Sequence, residues 1–234
     1  MPLLPFLLGG APVGGRAGEA AEARRLAAVR ALGLLDSGPD ERFDRIVRLA
    51  AMLCGTSVGA LVLLDADRLY LKAAVGVKAS ELPREASLCA TVVRDGAPVV
   101  VEDLASDAKF TGHPLWTVAK QRFYAGVPLR SPDGYVVGTL CLTDERPRHL
   151  AADRRSALAD LGAMAESELA ARAFAHEVRT PLAAIIGYAE ELREVTPELG
   201  PETDEAVRAI ERNAGRLRAL ADRLRGAQPG GANR

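Results

Sequence analysis

The residues best suited to chemistry lie together in the segment 174–182, which reads Phe-Ala-His-Glu-Val-Arg-Thr-Pro-Leu. His176 and Glu177 are neighbours, and Thr180 follows His176 by one helical turn, so the imidazole and the hydroxyl would share a helix face. A carboxylate beside an exposed imidazole can orient the ring and accept its proton, which suits the ring to nucleophilic attack on a phosphoryl group. Pro181 removes a backbone donor and is expected to bend or loosen the helix beside the histidine.

A zinc site is an alternative for a His-Glu pair on a helix. The zinc motif HExxH requires a second histidine at position 180, which is threonine here, so we exclude it and expect no metal site. A lone surface histidine would need no function, but the neighbours Glu177, Thr180 and Pro181 together favour phosphotransfer.

Helical patterns position this segment. Apolar residues recur about every 3.5 positions over 158–169, which predicts a coiled-coil seam rather than a helix lying on a globular core. The helix continues to about Leu192, the segment 196–201 interrupts it, and a second helix with one apolar stripe is expected over 202–225. Because two antiparallel helices bury too little surface to be stable alone, we expect this hairpin to dimerise into a four-helix bundle.

The first part of the chain mixes helix and strand patterns and predicts an α+β fold. One helix is expected over 19–35, and a second begins after the N-cap Asp40, buries a face that includes Leu53, and ends at Gly55. The order of elements predicts an antiparallel sheet with helices on one face and a loop-rich opposite face. Strands are expected at 58–64, 69–75, 98–101, 122–129 and 135–142, with a polar loop at 77–86 and a lid-like irregular stretch at 102–121.

Composition and charge limit the class of protein. The 234 residues include 30 Lys and Arg against 31 Asp and Glu, which argues against a nucleic-acid binder that relies on bulk electrostatics. No stretch reaches the roughly 18 uninterrupted apolar residues that a membrane span needs. The three cysteines, Cys54, Cys89 and Cys141, are too dispersed for a disulfide framework. We therefore expect a cytoplasmic protein that binds neither nucleic acid nor membranes.

The segment 174–182 resembles the H-box of sensor histidine kinases, F-x-H-E-[LIV]-R-T-P-L, at every position. The resemblance implies that His176 is the phosphoacceptor and that Glu177 is the acid/base that activates it. It implies that Thr180 positions the water that hydrolyses the phosphorylated aspartate of a response regulator. It also implies that residues 149–226 form a signalling helix and the dimerisation and histidine-phosphotransfer hairpin of a two-component system.

A second resemblance, over residues 19–148, is to the GAF sensory domains often found in front of histidine kinases. It rests on motifs spread along the chain, among them Phe43-Asp44, the acidic end of 99–103, 122–129 and the Gly-Thr-Leu-Cys-Leu segment at 138–142. These motifs are mostly structural. The resemblance implies a domain that binds a small ligand or a tetrapyrrole between the sheet and the long loop, or that simply dimerises, and it leaves the ligand open.

Four residues are candidates for lining such a pocket: Cys89, Trp116, Phe123 and Tyr124. A thiol near the start of a helix can have a lowered pKa and act as a redox sensor or a bilin attachment point. Bilin-carrying relatives usually place a histidine after that cysteine, whereas this sequence has Ala90, so an inert buried thiol is the simpler interpretation. The three aromatic residues can equally be ordinary core residues.

The domain organisation follows from these assignments: a disordered tail at 1–18, a GAF domain at 19–148, the helical region at 149–226 and a second tail at 227–234. Histidine kinases use a nucleotide-binding domain behind the helical hairpin, and the nine residues after Arg225 are too few to form one. We therefore expect no cofactor in this chain, with ATP and Mg²⁺ supplied by a missing or separate domain.

The leading hypothesis is a dimeric two-component protein that senses through its GAF domain. It would exchange phosphoryl groups at His176 with a response regulator receiver domain or a partner kinase. One alternative is a non-catalytic dimeric sensor or decoy that binds kinases or regulators without phosphotransfer. Another is a GAF-fold redox enzyme with Cys89 as nucleophile. That enzyme needs a resolving cysteine, and the sequence places neither Cys54 nor Cys141 within reach.

Overall fold

A computed structural model of the protein describes residues 16–195 and 200–224. Of the predicted tails, residues 1–15 and 227–234 lie outside this range, whereas residues 16–18 are helical. The interruption predicted at 196–201 also falls largely outside it. The helices are α1 (Arg16–Ala31), α2 (Glu41–Cys54), α3 (Cys89–Asp95), α4 (Pro114–Thr117), α5 (Ala152–Val195) and α6 (Pro201–Leu224). The strands are β1 (Val58–Leu64), β2 (Arg68–Val75), β3 (Glu81–Pro83), β4 (Val99–Val101), β5 (Phe123–Arg130) and β6 (Val136–Asp144).

The sheet has six strands in the order β3-β2-β1-β6-β5-β4, and every neighbouring pair is antiparallel. This confirms the predicted α+β fold. The central pair β1 and β6 joins the two hairpins, and the backbones approach closely at Gly138, where a Cβ would collide with the carbonyl of Val62. The polar loop predicted at 77–86 is wrong in part, because it contains β3 and a short 3₁₀ helix. A three-residue edge strand that buries almost nothing leaves no alternating pattern to detect.

The two faces of the sheet cover separate cores, as alternation along β1 requires. Leu61 and Leu63 point to the face covered by α1, α2 and α5, whereas Ala60 and Val62 point to the opposite face. Among the described residues, the elements packed on that opposite face include the short helix α3 and the stretch 102–121, which contains α4. The predicted layering of helices on one face and loops on the other is therefore confirmed. The loop-rich face also carries the short helix α3.

Helix α2 has the predicted caps. The carboxylate of Asp40 accepts the backbone N–H of Arg42, and Gly55 ends the helix in the left-handed conformation with φ of 68°. Leu53 was expected on the buried face, but its side chain is 47% exposed. The buried stripe instead continues through Ala51 and Cys54, one helical turn after Val47 and Ala50.

Helix α5 contradicts the predicted coiled-coil seam. Its first half packs against α2, β5 and β6, and its later part packs against α6. At Gly162 an added Cβ would lie 2.9 Å from Cγ2 of Val127, so this glycine allows α5 to approach β5 closely. A short apolar stripe has the same spacing whether it packs against a partner helix or against a sheet. The spacing alone therefore does not distinguish a coiled coil from a helix that covers a sheet. The four stripe residues all lie in the core of the sheet: Leu158, Leu161, Ala165 and Leu169.

The hairpin of α5 and α6 has a thin interior. On α6 the buried residues are Val207, Ala214 and Ala221, and on α5 they include Leu182 and Ala189. Small side chains at three of these five positions let the helices approach but bury little apolar area. The contact between these two helices therefore contributes little apolar burial, and the dimer stays a prediction.

Candidate functional site

His176 lies on α5, one helical turn after Ala173, a buried residue of α5 in the sheet-domain core. Its side chain is exposed, and its ring rests on Gly33, which follows α1. A Cβ at Gly33 would lie 3.0 Å from Nδ1 of His176, and Gly33 has φ of 60°. Both the close approach and the positive φ favour glycine at this position. The sheet domain thus contacts the candidate phosphoacceptor directly.

Glu177 and Thr180 are also exposed, and the helix holds both beside His176. Glu177 lines a cavity of about 210 Å³ together with Phe174 of α5, Leu32, which directly follows α1, and Asp133 of the β5–β6 turn. The imidazole, the carboxylate and the hydroxyl therefore face solvent at the end of the sheet domain.

Helix α5 runs unbroken through Pro181. Proline has no N–H, so the carbonyl of Glu177, four residues earlier, receives no helical hydrogen bond from position 181. The helix therefore lacks one backbone hydrogen bond immediately beside His176 and Glu177.

A buried ion cluster fixes α5 to the sheet domain just before His176. The guanidinium of Arg172 lies 2.9 Å from the Asp40 carboxylate, and Arg42 contacts Asp40 at 3.0 Å and Glu168 at 3.2 Å. Burial disfavours the charged form of Asp40, but the hydrogen bonds and charge of Arg42 and the charge of Arg172 hold its pKa below the ordinary value. Asp40 is therefore an anion that caps α2 and pairs with α5 at once.

The linker 32–40 between α1 and α2 is held in turn by β2. The Nζ of buried Lys72 donates to Ser37 Oγ at 2.7 Å and to the Gly38 carbonyl at 2.5 Å. The hydroxyl of Tyr70 donates to the Ser37 carbonyl at 2.7 Å. Because this linker also carries Gly33 and Asp40, it connects the sheet to α5 at two points, and sequence reasoning had not identified it.

The structure divides the four predicted pocket residues between the two cores. Phe123 lies on the helix-covered face, while Tyr124 lies on the opposite face with Cys89. The Tyr124 hydroxyl donates to Cys89 Sγ at 3.4 Å. Trp116 packs at the edge of that second core, with the guanidinium of Arg122 6.0 Å from its ring. Of the four residues, Cys89 and Tyr124 are thus joined by a hydrogen bond, Trp116 lies in the same core, and Phe123 is separated from all three.

Sequence reasoning missed Cys141 as a neighbour of Cys89. The structure places the two Sγ atoms 3.5 Å apart. Hydrogen bonding with Cys141 has the largest effect on Cys89 and, with bonds from Ser87 and Tyr124, lowers the pKa of this thiol although burial opposes it. The pKa of Cys141 is raised by the same interaction and by burial. The contact between Cys89 and Cys141 depends on how α3 packs across β6, and the spacing of the cysteines in the sequence does not reveal this packing.

Comparison with known families agrees with this geometry. The family model described as the GAF domain matches residues 38–169, and the model described as the His Kinase A (phospho-acceptor) domain matches residues 167–227. The chain therefore belongs to the GAF-domain family. Behind this domain it carries a His Kinase A phosphoacceptor region that contains His176.

Two curated relatives match different parts of the chain. A cyclic di-GMP phosphodiesterase of Pseudomonas aeruginosa is 34% identical over 138 residues, covering 58% of this chain and 24% of that protein. The sensor histidine kinase TrcS of Mycobacterium tuberculosis is 46% identical over 63 residues, covering 25% of this chain and 12% of that kinase. The chain thus spans a quarter or less of the length of these two relatives.

Several solved structures are also similar. The GAF domain of an Acinetobacter phosphoenolpyruvate-protein phosphotransferase has a TM-score of 0.48 at 20% identity, covering 70% of this chain and 97% of that chain. The free methionine-R-sulfoxide reductase of Neisseria meningitidis has a TM-score of 0.46 at 19% identity, covering 71% of this chain and 95% of that chain.

Membrane-spanning segments and metal sites are the two remaining classes of feature. Within 16–195 and 200–224, no helix has a stretch that is both long and apolar enough to cross a bilayer. Over the same residues, no group of three or more His, Cys, Asp or Glu side chains is arranged to hold a metal ion.

Proposed function

We propose that this chain is a two-component signalling protein that accepts a phosphoryl group on His176 and passes it to the aspartate of a response regulator. The observation that carries the proposal is the exposed His176-Glu177 pair, one turn beyond the last part of α5 that is buried in the GAF core. Glu177 is proposed to accept the imidazole proton during attack. Thr180 is proposed to position the water that hydrolyses the phosphoaspartate of the regulator.

Homodimerisation is part of this proposal. Both helices of the hairpin expose large apolar side chains, and such surface is costly in water unless a partner covers it. A second copy of the hairpin would bury it as a four-helix bundle. The exposed residues are Ile185, Tyr188 and Leu192 on α5, and Ile210, Leu217 and Leu220 on α6.

The linker 32–40 is proposed to carry the signal from the GAF domain to His176. It is anchored to β2 through Lys72, pairs with α5 through Asp40, and contacts the imidazole at Gly33. If ligand binding shifts the sheet, the linker 32–40 would move with it and change the packing around His176. The ligand itself is left open by this proposal.

The phosphoryl donor is proposed to be ATP with Mg²⁺, bound by a kinase domain outside residues 1–234. The cytoplasmic location expected from the cysteine content belongs to the same proposal. The function proposed for His176 does not depend on whether that domain is on this polypeptide or on a partner kinase.

A chemical donor tests phosphotransfer without the kinase domain. We expect phosphoramidate to phosphorylate the full chain at His176, and peptide mapping can distinguish this site because the chain has only three histidines. The phosphorylated chain, freed of the donor, should then transfer the group to an isolated receiver domain. Labelling confined to His113 and His149, or a stable phosphohistidine that no receiver domain accepts, would favour the non-catalytic sensor.

Thr180→Ala is expected to separate phosphorylation of His176 from dephosphorylation of the receiver domain. Phosphorylation of His176 should be unchanged, whereas dephosphorylation of a phosphorylated receiver domain should slow by about tenfold or more, because one group that orients the attacking water is lost. The measurement is the decay of phosphoaspartate with each protein in excess. Thr203→Ala, at an exposed threonine near the start of α6, is the matched control and should decay at the original rate. Equal rates for both variants would contradict the role of Thr180.

A further inference from the structure

A buried polar cluster lies in the core on the α3 side of the sheet, away from His176. It contains Cys89 at the start of α3 and Cys141 in β6, with exposed fractions of 1% and 6%. Ser87 Oγ lies 3.2 Å from Cys89 Sγ, and the Tyr124 hydroxyl donates to the same sulfur. The phosphotransfer function uses none of these groups, and apolar residues would fill this space with less cost.

The spacing of the two sulfurs is close to that of a disulfide before it closes. The Sγ atoms are 3.5 Å apart, and a disulfide bond is about 2.0 Å long, so closure needs a movement of about 1.5 Å. The two thiols are carried by different elements, a short helix and a central strand, and rotation of the side chains or a small shift of α3 can supply this movement.

The surroundings make the two sulfurs chemically unequal. The Ser87 and Tyr124 hydroxyls lie within hydrogen-bond distance of the Cys89 sulfur and stabilise its thiolate. At Cys141 the contact with Cys89 and burial outweigh the hydrogen bond of Thr139 and favour the neutral thiol, so its pKa is raised. A thiolate is the nucleophile in reactions of cysteine, and its neighbour can resolve the product. Cys89 is therefore suited to react first and Cys141 to react second.

We propose that Cys89 and Cys141 form a redox-active pair that hydroperoxides oxidise to an intramolecular disulfide. The Cys89 thiolate attacks the peroxide oxygen, the O–O bond breaks, and a sulfenic acid and water form once a proton is taken up. Cys141 then attacks the Cys89 sulfur, the S–S bond forms, and the hydroxyl group leaves as a second water. In total two thiols and one hydrogen peroxide give one disulfide and two waters.

The third cysteine provides an internal comparison. Cys54 lies in the other core, on the opposite face of the sheet, and burial raises the pKa of its thiol. It therefore cannot reach the pair in the folded domain, and its thiol is less reactive than Cys89. Oxidation of the folded protein should leave Cys54 reduced.

Peptide mapping of the oxidised full chain tests the proposal directly. Trypsin separates the three cysteines into the peptides 49–68, 85–94 and 131–148, since Arg146 precedes a proline and resists cleavage. After treatment with hydrogen peroxide, the intact chain should lose two hydrogens in mass, and 85–94 should be joined to 131–148. Dithiothreitol should reverse both changes.

Three variants sharpen the test. Cys54→Ser should form the same linked peptide as the original chain. Cys141→Ser should accumulate a sulfenic acid on Cys89 that dimedone traps, and Cys89→Ser should leave Cys141 unmodified. The proposal is overturned if both thiols stay reduced in the folded chain under peroxide, if Cys54 is consumed first, or if Cys89 proceeds to sulfonic acid with Cys141 free. The first, mapping experiment needs no variant, and none of these readouts depends on phosphorylation of His176.

Discussion

Replacing His176 with glutamine is expected to reduce phosphoryl labelling of this residue to background. Glutamine retains a polar side chain of similar size on the exposed face of α5 but has no nucleophilic ring nitrogen. The measurement is incorporation of acid-labile phosphate from phosphoramidate, or from ATP with a partner kinase domain, followed by transfer to a receiver domain. The variant should keep the circular dichroism and the sedimentation behaviour of the original chain, because the exposed side chain contributes little to the core.

A second histidine provides the matched control. His149 is exposed and lies 2.7 Å from Glu102, so it too is a surface imidazole beside a carboxylate. His149→Gln should leave phosphotransfer unchanged if the position on α5, rather than the pairing with a carboxylate alone, defines the phosphoacceptor. Equal transfer by the His176→Gln variant and the original chain would refute the assignment of His176.

Replacing Arg172 with alanine is expected to release α5 from the GAF domain. Arg172 and Arg42 together hold the buried carboxylate of Asp40, and loss of one charged partner typically costs about 2 kcal/mol. The cost should appear as a lower midpoint in urea unfolding of the full chain. Amide hydrogen exchange should also rise along α5 around His176, because the helix would no longer be fixed next to Gly33.

An exposed arginine serves as the control for this change. Arg208 pairs with Asp204 on α6, where its side chain is 53% exposed, and such solvent-screened surface pairs contribute little to stability. Arg208→Ala should therefore leave the unfolding midpoint nearly unchanged. If Arg172→Ala and Arg208→Ala have equal effects, the buried cluster does not fix α5.

Much of the fold was predictable because local patterns record which side of an element is buried. The strand at 58–64 was predicted at its observed limits, and Asp40 and Gly55 were recognised as caps, since both depend on chemistry within a few residues. The edge strand β3 was missed because three residues, of which only Leu82 is partly buried, are too few to carry a periodic signal. Leu53 was misplaced because its apolar character alone does not put it on the buried stripe.

The sequence by itself predicted which side chains form the candidate site, because one helix brings His176, Glu177 and Thr180 together as near neighbours in the chain. The tertiary structure decided what lies against that helix: the stripe at 158–169 packs on the sheet, and the linker 32–40 touches the imidazole. The separation of Phe123 from Tyr124, by contrast, follows from strand alternation alone, because both residues lie in the strand predicted at 122–129. Contacts between residues far apart in sequence depend on how whole elements pack, and periodicity fixes which face of an element is buried but not what covers it.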